Sequence, residues 1–223
     1  IHWPLVVRSL DESGCGAIGV IALLTFLIGV VLSYQVIVML RQYGALDRMV
    51  DLTGIIMLRE FAPVISAIVL AGRTATAFAA EIGTMAVQEE VDALTALGVN
   101  PLERLVIPKL LALILAIPLL TMVANIASVF GCLVMGYLQA GISPVSFMLR
   151  FHEAVSVTQL WVGLCKTPVF ALVIALVGTH QGFSAEASAM SVGHKTTNAA
   201  VQAIFLVIIV DALFSIIFSM YGI

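Results

Sequence analysis

The sequence predicts an all-α integral membrane protein with five transmembrane helices. Hydrophobic residues make up 61% of the 223 residues and charged residues only 10%, whereas an average soluble chain carries about 25% charged residues. The apolar residues form continuous runs, which favours membrane helices over the alternating strands of a membrane barrel. The net charge of −3 is small and gives no indication of nucleic-acid binding.

A helix needs about 20 apolar residues to cross the hydrocarbon core of a bilayer, and five runs meet this requirement. The predicted spans are residues 13–40, 52–72, 110–137, 160–179 and 199–221. The charge-free run 110–149 is long enough for two spans, but the Gly-Ile-Ser-Pro at 141–144 is typical of a turn. We therefore predict a single span there, followed by an outer loop that carries Arg150, His152 and Glu153.

The first 14 residues are too polar for a signal peptide and predict a segment that lies at the membrane interface. A chain that starts at Ile1 rather than methionine indicates a fragment or a processed form. The positive-inside rule gives the orientation. With the N-terminus inside, five Lys and Arg residues lie on the inner side and three on the outer side. This predicts a cytoplasmic N-terminus and a C-terminus on the opposite face.

Between the second and third spans lies a polar, acidic segment with helical periodicity. The apolar residues at helical spacing are Val87, Val91, Leu94 and Leu97, and the acidic residues between them are Glu89, Glu90 and Asp92. This pattern predicts an amphipathic helix, which ends at Gly98 and Asn100-Pro101. Such a helix along the membrane surface suits docking of a soluble partner.

Four ionisable residues, Arg59, Glu60, Lys166 and Asp211, fall inside the predicted spans. Charges in a membrane are costly and usually face a bundle interior or a cavity. Two compatible interpretations stay open, a polar pocket that opens outward and a structural Glu60–Lys166 ion pair that fixes the packing of spans two and four. Pro63 and Pro168 follow these charges and predict helix kinks.

Small residues recur every fourth position after the second span, in the two series Ala71, Ala75, Ala79, Gly83 and Gly72, Thr76, Ala80. Such faces let helices approach closely in lipid. They predict that the second span continues past Arg73 as a tightly packed helix, at an interface inside the chain or between two copies.

Several catalytic patterns are missing from the sequence. It contains no GxxxxGK[ST] phosphate loop, no HExxH metal motif and no GxSxG nucleophile motif. We therefore expect a non-catalytic chain that holds no metal or cofactor. The absence of an arginine-rich helix and of a TVGYG filter weakens a channel interpretation.

Ordered motifs across nearly the whole chain resemble the MlaE/YrbE permease family. They are Leu58-Arg59-Glu60-Phe61-Ala62-Pro63, then Ala71-Gly72-Arg73, Ala80-Glu81-Ile82-Gly83-Thr84-Met85, and the acidic stretch from Glu89 to Pro101. The family patterns are LRE-x-x-P, AGR-x-x-x-x-x-x-AE-x-G-x-M and an acidic helix that ends in NP or DP. Lys166 and Asp211 also fall where the family has similar residues.

The resemblance implies a single permease domain over residues 1–223, the transmembrane subunit of an ABC-type intermembrane lipid transporter. It implies a homodimer in a bacterial inner membrane, with its C-terminus in the periplasm. It further implies cytoplasmic ATPase subunits that bind ATP and magnesium, and a periplasmic MCE-domain protein. A STAS domain occurs in some relatives and is a possible further partner. Phospholipids or related lipids are the implied cargo.

The resemblance also assigns candidate residues. The lipid-pocket candidates are Arg59, Glu60, Lys166 and Asp211. The ATPase-coupling candidates, within residues 81–101, are Glu81, Gly83, Glu89, Glu90, Asp92, Leu94, Gly98 and Pro101. Two other functions stay open, a permease for a polar small solute and a structural membrane anchor. A polar solute would need a continuous polar path, and the apolar spans one, three and five favour a lipid instead.

Overall fold

The computed structural model describes Gly14 and residues 16–186 and 188–222. Across these residues every regular element is helical, and five helices are long and apolar enough to cross a membrane. The predicted fold class, an all-α integral membrane protein with five spanning helices, is therefore confirmed. The predicted interfacial segment at the N-terminus lies outside the described residues.

Seven helices are described in chain order. They are α1 Gly16–Gln42, α2 Leu46–Val87, α3 Glu90–Ala96, α4 Leu102–Ala140, α5 Pro144–Ala154, α6 Val157–Phe183 and α7 Ala189–Met220. The five long helices are α1, α2, α4, α6 and α7. α2, α4, α6 and α7 extend beyond the predicted spans, because backbone hydrogen bonding continues into polar sequence that a hydropathy criterion excludes.

The segment after the third span is not the irregular loop that we predicted, since Pro144–Ala154 forms helix α5. Its position on the outer side stays a prediction. Ser143 caps its first turn, where the Ser143 hydroxyl accepts a hydrogen bond from the Ser146 N–H at 3.1 Å. Pro144 occupies the first helical turn, where its missing N–H is harmless. The Ser-Pro pair that we interpreted as the start of a loop is therefore a helix start signal.

The continuous amphipathic helix predicted from Val87 to Leu97 is also wrong in part. Helix α2 ends at Val87, and α3 begins only at Glu90. Glu89 between them has a left-handed backbone with φ 59°, which interrupts a helix of L-residues. Gly98, with φ 75°, follows the end of α3 as predicted. The spacing of apolar residues indicates which side chains share a helix face. It does not reveal a single residue in the left-handed conformation.

The chain forms two compact units, each with its own packing. Among the described residues, the first unit contains those within 14–17, 67–118 and 167–222, and the second contains residues 18–66 and 119–166. α2, α4 and α6 each contribute one part to each unit. The single domain expected for residues 1–223 stays a prediction.

In the second unit, α1 and α4 approach each other closely through two glycines. A Cβ added to Gly29 would overlap the Ser128 carbonyl oxygen, and one added to Gly131 would overlap the Phe26 carbonyl oxygen. Each helix therefore packs a glycine against a backbone carbonyl of the other helix. This reciprocal contact follows the small-residue packing that membrane helices use when they have no hydrophobic driving force between them.

In the first unit, the small-residue face of α2 packs inside the chain. Ala75 and Ala79 have no solvent exposure, and glycines of α6 lie against them. A Cβ on Gly178 would lie 3.0 Å from the Ala75 Cα, and one on Gly182 would lie 3.3 Å from the Ala79 Cα. This face of the helix therefore serves an internal interface, one of the two possibilities left open by the sequence.

We expect Gly29→Ala to destabilise the second unit, because its methyl group would overlap the Ser128 carbonyl oxygen. Overpacking of this kind typically costs about 1–3 kcal/mol, which corresponds to a fall of roughly 2–12 °C in the unfolding temperature. Gly19→Ala on the same helix is the matched control, because nothing lies within 4 Å of its added Cβ. Thermal unfolding of both variants in detergent tests this, and equal unfolding temperatures would contradict the close approach.

Candidate functional site

Three of the four ionisable residues predicted inside the spans come together in the second unit. The Lys166 ammonium donates a hydrogen bond to Glu60 Oε2 at 2.5 Å, and Arg59 Nε donates to Glu60 Oε1 at 3.2 Å. The Lys166 side chain has no solvent exposure, whereas 29% of the Glu60 side chain is exposed. The predicted Glu60–Lys166 ion pair is thus present, and the same carboxylate stays partly accessible.

The local backbone explains why α2 presents these charges to α6. Residues Met57–Phe61 form a wide π-helical turn in which the Ala62 N–H donates to the Met57 carbonyl. Pro63, two residues after this turn, has no N–H to continue the regular ladder. π turns of this kind occur often at functional sites.

A glycine on α6 brings the two helices together at this turn. A Cβ on Gly163 would overlap the Leu58 carbonyl oxygen and lie 3.1 Å from Pro63 Cγ, so only glycine allows the observed approach. Lys166 follows Gly163 by three residues and therefore lies on the same face of α6. Its ammonium then reaches Glu60 in the wide turn of α2.

An apolar groove of about 400 Å³ lies between α1 and the π turn of α2. Its lining residues are Leu24, Leu27, Ile28, Val31, Leu32, Gln35 and Phe61. Phe61 directly follows Glu60 in the π turn, so the apolar wall begins one residue from the carboxylate. A charged group next to an apolar groove can bind a molecule with a polar head and a hydrocarbon tail.

A polar residue that the sequence reasoning missed is Asn125 on α4. It is 5% exposed, and neither its side-chain nitrogen nor its oxygen has a hydrogen-bond partner. It lines a second groove of about 340 Å³ together with apolar residues that include Leu58 and Phe151. Buried carboxamides are normally paired. In the sequence, Asn125 is one uncharged polar residue in a long apolar run, and nothing except its polarity indicates a functional role.

Asp211, the fourth ionisable residue, belongs to the first unit and not to the unit that holds the other three. It lies on α7 and is half-buried. Its assignment to the lipid pocket stays a prediction.

The ATPase-coupling candidates around α3 differ in the solvent exposure of their side chains. Glu89, Glu90 and Asp92 are exposed acids, and Leu94 is half-buried. Leu97, at the end of α3, is 78% exposed. Acidic and apolar side chains therefore lie side by side on the accessible surface of α3 and its flanks.

Two coupling candidates in α2 have contacts inside the first unit. Gly83 is buried, and a Cβ there would lie 3.3 Å from side-chain atoms of Ala185 and Val192. Glu81 Oε2 accepts a hydrogen bond from the Lys109 ammonium at 2.5 Å. Gly98 and Pro101 flank the turn after α3, and Gly98 lines a cavity of about 370 Å³.

Five apolar helices, with charged groups buried among them, define a multi-pass helical membrane protein. The family model described as Permease MlaE matches residues 6–217. The chain therefore belongs to the MlaE permease family, the membrane subunits of ABC transporters, which work together with other transporter components.

Curated relatives agree with this assignment. A probable ABC transporter permease protein of Rickettsia prowazekii is 29% identical over 98% of this chain and 84% of the relative. Another from Synechocystis is 37% identical over 85% of this chain and 72% of the relative. The protein TRIGALACTOSYLDIACYLGLYCEROL 1, chloroplastic, of Arabidopsis thaliana is 31% identical over 98% of this chain, which spans 62% of that protein.

We expect Glu60→Gln to destabilise the protein more than the double variant Glu60→Gln/Lys166→Met. The single change leaves a fully buried ammonium without its carboxylate, and breaking a buried pair in this way costs about 3–5 kcal/mol. The double change removes both charges. Thermal unfolding in detergent should show a fall of roughly 6–20 °C for the single variant and recovery of most of it in the double variant. A double variant less stable than the single would contradict the pairing.

Proposed function

We propose that this chain is the permease subunit that moves phospholipids or related lipids between the inner and outer membranes of a bacterial envelope. The observations that carry this proposal are the cluster of Arg59, Glu60 and Lys166 and an apolar groove that Phe61, the residue after Glu60, helps to line. A lipid combines a polar head with hydrocarbon, and this site offers a partner to each. Arg59 is a suitable partner for an anionic headgroup, because guanidinium binds phosphate strongly.

The choice of a lipid over a polar small solute rests on the groove walls. Six of the seven groove-lining residues are apolar, and Gln35 is the exception. A polar solute would need hydrogen-bonding groups along its path, whereas hydrocarbon needs none. The name of the Arabidopsis relative contains that of a glycolipid, trigalactosyldiacylglycerol, which supports a lipid cargo here. A purely structural anchor would have no use for this groove.

The energy for transport, in this proposal, comes from separate cytoplasmic ATPase subunits that bind ATP and magnesium. The sequence has no phosphate-binding loop of its own. The exposed acids Glu89, Glu90 and Asp92 are suited to charge-assisted contacts with a basic groove on a partner. We propose that α3 and the turn after it receive that partner, with Leu94 and Gly98 completing the surface.

The proposed assembly is a homodimer in the inner membrane, with its N-terminus in the cytoplasm and its C-terminus in the periplasm. α7 supports a lateral interface, because much of its apolar surface is exposed, including Phe205 and Ile209. A periplasmic MCE-domain protein would hand lipid to or from the permease, and a STAS-domain protein is a possible further partner. We assign no nucleic-acid partner.

We expect Leu27→Trp to lower the amount of phospholipid that co-purifies with the protein, because the larger ring fills the groove. Leu23→Trp is the matched control, since Leu23 lies on the same helix and is 60% exposed but does not line the groove. Native mass spectrometry of both variants measures bound lipid. A roughly tenfold loss, equivalent to about 1.4 kcal/mol of binding free energy, is expected for Leu27→Trp alone.

If wild-type protein carries no lipid in a mild detergent, or if both tryptophan variants retain equal amounts, the lipid assignment of this groove is wrong. Bound lipid that survives in Leu27→Trp would place the cargo elsewhere in the protein.

We expect the double variant Glu90→Lys/Asp92→Lys to lose the ATPase subunit on purification, because reversed charges would repel a basic partner surface. Glu89 is left unchanged because its left-handed backbone shapes the junction between α2 and α3. Glu153→Lys, an exposed acid on α5, is the control for surface charge. Affinity purification of the co-expressed complex gives the ratio of ATPase to permease. An unchanged ratio would exclude α3 as the docking element.

A further inference from the structure

The segment between Glu81 and Lys109 forms an elbow, with the last stretch of α2 as one limb and the start of α4 as the other. Its tip is α3 and the turn that follows. The elbow has three irregular points, at Glu89 with φ 59°, at Gly98 with φ 75° and at the π-helical turn Leu102–Val106. Pro108 follows that turn and removes a backbone donor.

Irregular points of this kind interrupt the regular hydrogen-bond ladder, so the backbone of the elbow is poorly suited to keep its two limbs in step. All three points lie between Glu81 and Lys109 in the chain, so a direct contact between these two residues joins the limbs without passing through the irregular backbone.

Lys109 provides such a link between the limbs. Its Nζ lies 2.5 Å from Glu81 Oε2 and 4.7 Å from the centroid of the Phe78 ring. Only 7% of the Lys109 side chain is exposed, whereas 56% of the Glu81 side chain is. A cation that is both paired and placed over an aromatic face is held more strongly than an exposed surface pair. Phe78 and Glu81 are one turn apart on α2, so both contacts fix Lys109 to the same face.

We propose that Lys109 and Glu81 are positioning residues that make the two limbs of the elbow move together. A displacement of α3 that reaches either limb then moves α2 and α4 together. This inference rests on the proposed function, in which α3 receives an ATPase subunit. It gives the coupling candidate Glu81 a specific role, an internal link behind the docking surface.

The test uses the complex of the permease with its co-purifying ATPase in phospholipid vesicles. The variants are Glu81→Gln, Lys109→Met and the charge exchange Glu81→Lys/Lys109→Glu. Glu103→Gln, an exposed acid of the same elbow, is the control. The readouts are the ratio of ATPase to permease, the rate of ATP hydrolysis and the rate of fluorescent phospholipid transfer.

We expect the single variants to bind ATPase normally and to hydrolyse ATP, but to transfer about tenfold less lipid per ATP, a typical size for coupling between sites. The charge exchange should recover most of the lost transfer, which loss of folding or of side-chain volume would not allow. Unchanged transfer per ATP in both single variants would overturn the inference, and so would single variants that lose ATPase binding in proportion to transfer.

If the charge-exchange variant does not fold, a reversible covalent link between the two limbs provides a second test. In a Cys15→Ser/Cys165→Ser background, Glu81→Cys/Lys109→Cys can be joined by a short reducible thiol cross-linker. Transfer per ATP should rise when the link forms and fall again on reduction, and no response to the link would overturn the inference. A wild-type complex without ATPase or without lipid transfer would instead contradict the proposed function itself.

Discussion

The ion pair of Lys166 with Glu60 is the contact on which the arrangement of the second unit depends. A lysine with no solvent exposure inside an apolar helix requires a carboxylate, because an unpaired buried charge is strongly destabilising. Helix α6 must therefore lie where Lys166 reaches α2. Gly163 permits that approach, and the wide turn at Met57–Phe61 presents Glu60 to it.

Close packing through small residues is the second constraint, and it operates in both units. Membrane helices gain little hydrophobic free energy from contact with each other, so van der Waals contact between backbones stabilises them instead. Gly29 and Gly131 bring α1 and α4 together in one unit, and Gly178 and Gly182 bring α6 to α2 in the other. These contacts leave no room for side chains, which explains why glycine occupies those positions.

Charge has two different uses around α3. Glu90 and Asp92 are exposed and available to another molecule, whereas Glu81 is joined to the nearly buried Lys109. The two kinds of acidic residue look alike in the sequence, since both lie in the same polar stretch between apolar runs. In the proposed function, Glu90 and Asp92 form the docking side of the elbow and Glu81 belongs to its supporting side. The same division appears at Glu60, whose carboxylate pairs internally and is still partly accessible.

The sequence by itself determined the helical membrane class, the five spans, the family and the presence of buried charges. These follow from composition, apolar run length and ordered motifs, which are local properties of the chain. Only the tertiary structure decided that Lys109 meets Glu81 across 28 residues and that Asn125 is buried without a partner. It also decided that Glu89 breaks the amphipathic helix. Pairing and burial depend on which helices approach each other, and a left-handed residue depends on its surroundings, so neither is encoded in local periodicity.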